Sequence, residues 1–288
     1  MNSTKPEQAD QWDLVISPTT SLLDLRLKDV WKYRDLLLLF VKRDFIAQYK
    51  QTVLGPLWHI VQPLFTVIIF LIVFGQIASI PTDGVQPILF YMSGITIWNY
   101  FSACLMNTSN TFTANASIFG KVYFPRLVIP LSILISNIVR FGIQFVLLTV
   151  LMIYFHFNGF PIYVSFNWLL LPVIILMMAA IGFGLGIIIS SLTTKYRDFA
   201  VLLGFAVQLM MYATPIIYPL SFLSDSKYKW IIEINPLTPL VEAFRYSLFG
   251  KGSFTALSLS YSAGFMLVSI FIGVVVFNKV EKSFMDTV

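Results

Sequence analysis

Six long apolar blocks dominate the chain, near residues 57–79, 86–107, 128–155, 168–192, 199–221 and 257–278. Each reaches the roughly 20 apolar residues that a helix needs to cross a bilayer. Ahead of them, residues 21–50 alternate differently. Leu27, Val30, Trp31, Leu38, Val41 and Phe45 fall near one helical face, and Lys28, Lys32, Asp35, Lys42 and Arg43 fall mostly on the other. Ser21 with Asp24, just after Pro18, makes a helix start, and Asp24 to Lys28 is a favourable i,i+4 pair. This pattern predicts a helix lying in the membrane interface, or docking a soluble partner. Residues 1–20 are polar, with Glu7, Asp10 and Asp13 and no apolar core. They read as a flexible cytoplasmic lead and not as a cleavable signal peptide.

One stretch does not fit the spanning pattern. From Tyr212 to Arg245, Pro215 and Pro219 break the end of the fifth block, and two short apolar bursts follow. Pro236 and Pro239 then open another helical pattern. Neither burst is long enough to cross. Irregular backbone at membrane depth survives only where protein or water satisfies its polar groups, so the stretch is expected to line a cavity as a gate of short helices over about 215–250. The bland alternative is an apolar outer loop.

Composition agrees with the pattern. The 288 residues are 57% hydrophobic and 11% charged, with a mean hydropathy of +0.80. A soluble domain of this length cannot hide so much apolar surface, so the expected class is an all-α polytopic membrane protein. Its expected parts are six transmembrane helices, an N-terminal amphipathic interface helix (21–50), and short broken helices between spans five and six. The net charge of +5 is not a nucleic-acid footprint, because most basic residues flank apolar blocks. Arg26, Lys28, Lys32, Arg34, Lys42, Arg43 and Lys50 precede the first span. Lys121 and Arg126 follow the second, Lys195 and Arg197 the fourth, and Lys279 and Lys282 the sixth. Loops 80–85 and 156–167 carry no Lys or Arg. The positive-inside rule therefore puts both termini in the cytoplasm. Lys227, Lys229, Arg245 and Lys251 sit against that rule, balanced by Asp225, Glu233 and Glu242.

Candidate chemistry is sparse. No G-x-x-x-x-G-K-[ST] phosphate loop occurs, so the chain holds no such nucleotide site. Gly182, Gly184 and Gly186 lie inside a span with no strand before them, which rules out a dinucleotide fingerprint. Gly182 and Gly186 do form a small-xxx-small pair for close helix packing. His59 and His156 are far apart, the single Cys104 lies in an apolar run, and every Asp and Glu falls outside the six blocks. That disfavours metal sites, ion-driven transport and intramembrane catalysis.

Three features remain. Arg140 lies about 13 residues into the third block, roughly 20 Å along the helix. Ser132, Ser136, Asn137 and Gln144 share much of its face, so the stripe points into protein or a wet pathway. Arg140 is expected to meet an anionic head group or Glu242, or else to snorkel outward. Aromatic residues recur near helical spacing at Trp58 and Phe65 and at Tyr91, Trp98 and Phe101, with Tyr212 and Tyr218 at the broken fifth block. They suit either a path along which sugars stack, or ordinary packing and interfacial belts. The loop from Thr113 to Pro125 carries Ile118, Phe119, Val122, Tyr123 and Phe124 in a cytoplasmic position, an apolar face that the bilayer or a partner's groove would cover.

Five motifs stand out: L-G-P-L-W at Leu54–Trp58 with Pro63 and Leu64, F-G-K-V-Y-F-P-R at Phe119–Arg126, Y-R-D-F at Tyr196–Phe199, T-P-I-I-Y-P at Thr214–Pro219 and N-P-L-T-P-L-V-E-A-F-R at Asn235–Arg245. On these the chain resembles ABC-2 type exporter permeases, in particular those that export lipid-linked polysaccharides such as O-antigen, capsule and teichoic acid. The resemblance covers about residues 21–285.

The resemblance implies a homodimer in the bacterial inner membrane that binds two separate ABC ATPase subunits. ATP and magnesium would belong to those partners, with no cofactor in this chain and no nucleic-acid partner. The loop at about 113–125 would couple to the ATPase through Ile118, Phe119, Gly120, Lys121, Val122 and Tyr123. The dimer would enclose a channel for a polymer on undecaprenyl pyrophosphate, with a substrate path along Trp58, Phe65, Tyr91, Trp98, Phe101, Arg140, Tyr212 and Tyr218. Pro215, Pro219, Pro236, Pro239, Glu242 and Arg245 would shape the periplasmic gate.

Rival readings are an ABC-2 permease for a drug or small lipid, a membrane enzyme acting on a lipid-linked sugar, and a passive scaffold. A small-lipid channel would not depend on Trp98 or Tyr212. An enzyme would act without any ATPase, and a scaffold's deletion would leave export intact.

Overall fold

The computed structural model describes residues 27–119, 121, 124–161, 166–196 and 198–284. The expected lead 1–20 and the Ser21–Asp24 helix start lie outside the described residues, as do Gly120, Val122 and Tyr123. The described residues are helical, with no strand among them. Two short helices come first, α1 (Leu27–Lys32) and α2 (Arg34–Tyr49). Five helices are long and apolar enough to cross a membrane: α3 (Gly55–Ile77), α4 (Pro87–Ser109), α6 (Val128–Phe157), α7 (Phe166–Thr193) and α11 (Ala256–Phe284). The shorter ones are α5 (Thr111–Phe119), α8 (Asp198–Tyr212), α9 (Lys229–Glu233) and α10 (Thr238–Phe249).

The fifth span differs from expectation. A helix over 199–221 was expected, whereas α8 stops at Tyr212 after 15 residues. Fifteen residues rise about 22 Å, short of the roughly 30 Å hydrocarbon core. Pro215 explains the stop, since it has no N–H to give and its ring clashes with the carbonyl four residues back. The chain then stays inside the bundle, with Thr214, Ile216 and Ile217 buried. The short broken helices expected after this point are present: a 3-10 turn at Leu220–Leu223, then α9 and α10.

The bundle is built around α4 and α7. They pack on each other, α6 and α3 pack on α4, and α11 packs on α7. The glycines of α7 set these distances. A Cβ on Gly186 would sit 2.7 Å from the Thr108 Cβ of α4, and one on Gly184 would sit 2.8 Å from backbone atoms of Ser269 and Ile270 on α11. Gly182 and Gly186 thus face one neighbour and Gly184 the other, which is the close approach that small residues permit in lipid.

α1 and α2 turn their faces differently from the sequence pattern. Val30 and Phe40 are buried, with Tyr33, Leu36 and Leu37 packed beside them. Trp31 and Leu38, placed with Val30 on the apolar face, are 71% and 58% exposed. The helix breaks at Tyr33, between α1 and α2, so one helical wheel drawn through both halves misplaces their faces. Phe40 and Val30 pack on the protein and leave Trp31, Leu38 and Leu39 outside.

Overpacking either glycine face is expected to be costly. Gly184→Val and Gly186→Leu should each destabilise by about 1–3 kcal/mol or more, read as a lower unfolding midpoint in mild detergent. A Cβ on Gly142 would meet nothing within 4 Å, so Gly142→Ala should hold or raise the midpoint.

Candidate functional site

Three clusters of side chains stand out, one at each end of the bundle and one between. The first lies at the basic end, where α1, α2, α5 and the end of α11 meet. Phe119 and Phe124 stack with centroids 5.9 Å apart, Phe40 lies 5.8 Å from Phe124, and Phe112 stacks on Phe277 at 4.7 Å. Phe112, Phe119, Phe124 and Phe277 are all buried. So the apolar face of the 113–125 loop is covered largely by the chain itself. Phe119 points inward, while Lys121 is exposed and Ile118 half-buried. The helical part is Thr111–Phe119, kinked at Asn115. It overlaps the first part of the expected coupling element at about 113–125. The side chain of Asn115 reaches the Thr111 carbonyl at 3.0 Å and accepts from Arg43 of α2 at 3.4 Å.

The second cluster surrounds Arg140. Ser132, Ser136, Asn137 and Gln144 are buried on α6 as the stripe implied. Their partners lie on α4. Asn99 donates to Gln144 at 3.3 Å, and Asn107 donates to Asn137 at 3.2 Å. Arg140 also donates to Asn137, at 3.0 Å. Helix distance overstates the depth of Arg140, because α6 has 30 residues, or about 45 Å, and outruns the bilayer. The neighbours of Arg140 include His59 and Gln62, in the first turns of α3. Asn107, which shares the Asn137 oxygen with it, is two residues from the end of α4. Arg140 therefore lies in the half of the bundle nearer the basic end.

The third cluster is the broken segment at the opposite end. Arg245, fully buried, donates to the carbonyls of Pro215 and Ile216. Its guanidinium lies 3.7 Å from the centroid of Phe90 and 3.5 Å from the Glu242 carboxylate. Glu242 also accepts backbone N–H groups of Leu220 at 3.3 Å and Ser253 at 2.9 Å. The expected contact of Arg140 with Glu242 does not form, because the carboxylate is taken by Arg245 and these amides. Asn235 donates to the Ala213 carbonyl and the Thr214 hydroxyl, both at 2.9 Å, and Ser262 donates to the Pro236 carbonyl at 2.7 Å. Pro239 starts α10, and Pro215 and Pro219 are buried beside it. α10 does not lie flat on the bundle. Leu240, Val241, Ala243 and Phe244 are buried, and the helix packs against α4 and α7.

The aromatic residues separate into two groups. Tyr91, Trp98 and Phe101 lie in the packed core of α4. Trp58, Phe65 and Tyr212 are exposed on α3 and α8, and Tyr218 is half-buried with its hydroxyl on the Tyr212 carbonyl at 2.8 Å. Both α3 and α8 pack on α4. Asn99, Asn107 and Asn115 carry much of the polar geometry and were not singled out in the sequence. Their spacing of eight residues along adjoining helices was the available signal. Among the described residues no group of three His, Cys, Asp or Glu is placed to hold a metal.

Five apolar helices long enough to cross a membrane, with shorter helices at both ends, define a polytopic membrane bundle. Residues 35–249 match the family described as ABC-2 type transporter, and the chain belongs to that family. It is 32% identical over 255 residues to an O-antigen export system permease protein of Klebsiella pneumoniae, covering 88% of this chain and 94% of that one. It is 24% identical over 221 residues to the protein of the same name from Myxococcus xanthus, covering 76% and 82%. A polysialic acid transport protein of Escherichia coli is 22% identical over 245 residues, covering 85% and 93%.

The Arg245 cluster predicts a graded response. Arg245→Met leaves two carbonyls and Glu242 uncompensated, a loss of about 3–5 kcal/mol for breaking a buried pair. Glu242→Gln keeps an oxygen for Leu220 or Ser253 and should cost less. Unfolding midpoints in detergent, with limited proteolysis across 213–219, read the difference; equal midpoints for the two variants would contradict this account.

Proposed function

We propose that this chain is the membrane subunit of an ATP-driven exporter that moves a lipid-linked polysaccharide of the O-antigen type across the bacterial inner membrane. The observation that carries the reading is the 32% identity to an O-antigen export permease over 94% of that protein's length. In this reading two copies assemble with two ABC ATPase subunits, and the glycan rides on undecaprenyl pyrophosphate. The basic end faces the cytoplasm, as do both termini. The exposed apolar faces of α3 and α8, with Phe65, Ile69, Phe205 and Leu209 outward, suit a second copy and a channel. Trp58, Phe65, Tyr212 and Tyr218 would meet the polymer, and Tyr91, Trp98 and Phe101 would stiffen the wall behind them.

The ATPase surface follows from which loop residues remain outside. Phe119 is committed to the aromatic cluster, so Lys121 and Ile118 are the positions that a partner would meet, with Gly120, Val122 and Tyr123 beside them. Closure of the ATPases on ATP would press on α5 and, through it, on α4.

Deleting the gene and locating the lipid-linked glycan tests the whole reading. Accumulation on the cytoplasmic side, cured by the wild-type gene, is expected; an unchanged surface glycan would reject it. Co-purification tests the coupling surface. Lys121→Glu or Ile118→Asp should reduce recovery of the ATPase several-fold with an unchanged unfolding midpoint. Phe119→Asp should lower the midpoint itself, because it buries a charge among four phenylalanines. Full ATPase recovery with both surface variants would exclude this loop as the contact.

A further inference from the structure

The cleft around Arg140 is built as an anion site. A cavity of about 240 Å³ is lined by His59, Gln62, Asn99, Arg140 and Gln144. A second, of about 350 Å³, is lined by Arg43, Asp44, Asn107, Asn115 and Arg140. Both also include Asn137, so the guanidinium stands between them. Each exceeds by several-fold the roughly 30 Å³ share of one water.

The charges do not balance within the cleft. Asp44 is held by Arg43 through two contacts, at 2.9 Å and 2.7 Å. That pair is locally neutral and leaves Arg140 as the net cation. Its hydrogen bond to Asn137 uses one of five guanidinium donors. Two more polar atoms nearby are buried without a partner, the His59 Nε2 and the Tyr49 hydroxyl, on rings 5.5 Å apart. A partly dehydrated guanidinium with orphaned polar atoms beside it is costly unless oxygen acceptors arrive. Planar, forked donors suit phosphate oxygens above other acceptors.

The surroundings are those of an amphiphile. The cleft opens in the half of the bundle nearer the basic end, between the first turns of α3 and the last turns of α4. Its flanks carry exposed apolar side chains, Trp58 and Phe65 on α3 and Ile138 and Val139 on α6. A free anion has no use for such flanks, whereas a hydrocarbon chain would run along them.

We propose that the cleft between α2, α3, α4 and α6 binds the phosphate group of a lipid at the basic-end leaflet, with Arg140 gripping its oxygens and His59 and Tyr49 completing the site. Two sources share this chemistry: the diphosphate of a polyprenyl-linked cargo, and the head group of a bulk anionic phospholipid. Only the first source rests on the export reading.

Native mass spectrometry of the full chain in detergent tests the site, with three probes titrated separately: farnesyl pyrophosphate, phosphatidylglycerol and inorganic pyrophosphate. One saturable lipid-phosphate site is expected, with inorganic pyrophosphate at least tenfold weaker. Arg140→Gln should weaken lipid binding tenfold or more, and Arg140→Lys should recover part of it. Tyr49→Phe removes only a hydroxyl and should weaken binding about threefold with an unchanged unfolding midpoint, which keeps the test valid if Arg140→Gln folds poorly. Preference for farnesyl pyrophosphate assigns the cleft to cargo, and preference for phosphatidylglycerol assigns it to membrane lipid; either upholds the site. Equal binding by wild type, Arg140→Gln and Tyr49→Phe overturns it. An export defect in Arg140→Gln with unchanged binding overturns the site and leaves the export reading standing. Binding in a protein whose deletion leaves surface glycan intact does the reverse.

Discussion

A helix that stops inside a membrane bundle leaves backbone carbonyls with no water to meet them, and the structure depends on how that debt is met at the end of α8. Thr214 and Tyr218 cover carbonyls of its last turn, at Met210 and Tyr212, and Arg245 supplies the donors for the carbonyls that follow. It reaches from α10 to the carbonyls of Pro215 and Ile216 while its flat face rests on Phe90 of α4. Glu242 holds the guanidinium from the other side and takes the N–H groups of Leu220 and Ser253. Gly94 gives the guanidinium room, since a Cβ there would sit 2.8 Å from its Nη2. A buried ion pair is a poor source of net stability, because desolvation offsets its attraction. Its value here is geometric. It joins the segment that follows α8, the 3-10 turn, α10 and α4 into one body.

α4 is therefore held at both ends by polar contacts of different kinds. At the opposite end it seats Arg245 through Phe90 and Gly94. Toward the basic end it presents Asn99 and Asn107 to α6. Between them its core residues, Tyr91, Trp98 and Phe101 among them, are packed by α7 and its neighbours. Close glycine contacts hold α7, so α4 has little freedom to rotate without breaking polar pairs in a medium that offers no replacements.

Much of this was legible in the sequence, and the exceptions share a cause. Five spans, the short helices after Pro215 and the stripe around Arg140 follow from apolar length, proline chemistry and helical spacing. The orientation of apolar residues does not. In a bilayer, side chains facing lipid and side chains facing protein are equally apolar, so Trp98 and Phe65 read alike although one is core and the other exposed. The burial of Phe119 was not visible because its cover comes from Phe112 and Phe124, themselves backed by Phe277 and Phe40, the former more than 150 positions away. Asn99 and Asn107 had no visible purpose until α6 supplied their partners.

These arrangements bear on how a push at the basic end could be felt at the other. α5 follows α4 after a single residue, Asn110, and its Asn115 is tied to Arg43 of α2. Load on α5 thus enters α4 directly and enters α2 through one side-chain bond. α2 and α4 are two walls of the Arg140 cleft, so the same displacement changes the cleft before it reaches Gly94 and Arg245. A rigid rod alone is not coupling, since that requires an element with two discrete arrangements. The broken segment is a suitable element: the Pro215 and Ile216 carbonyls are held by one side chain and not by a continuing helix, so a shift of Phe90 beneath that guanidinium bears directly on them.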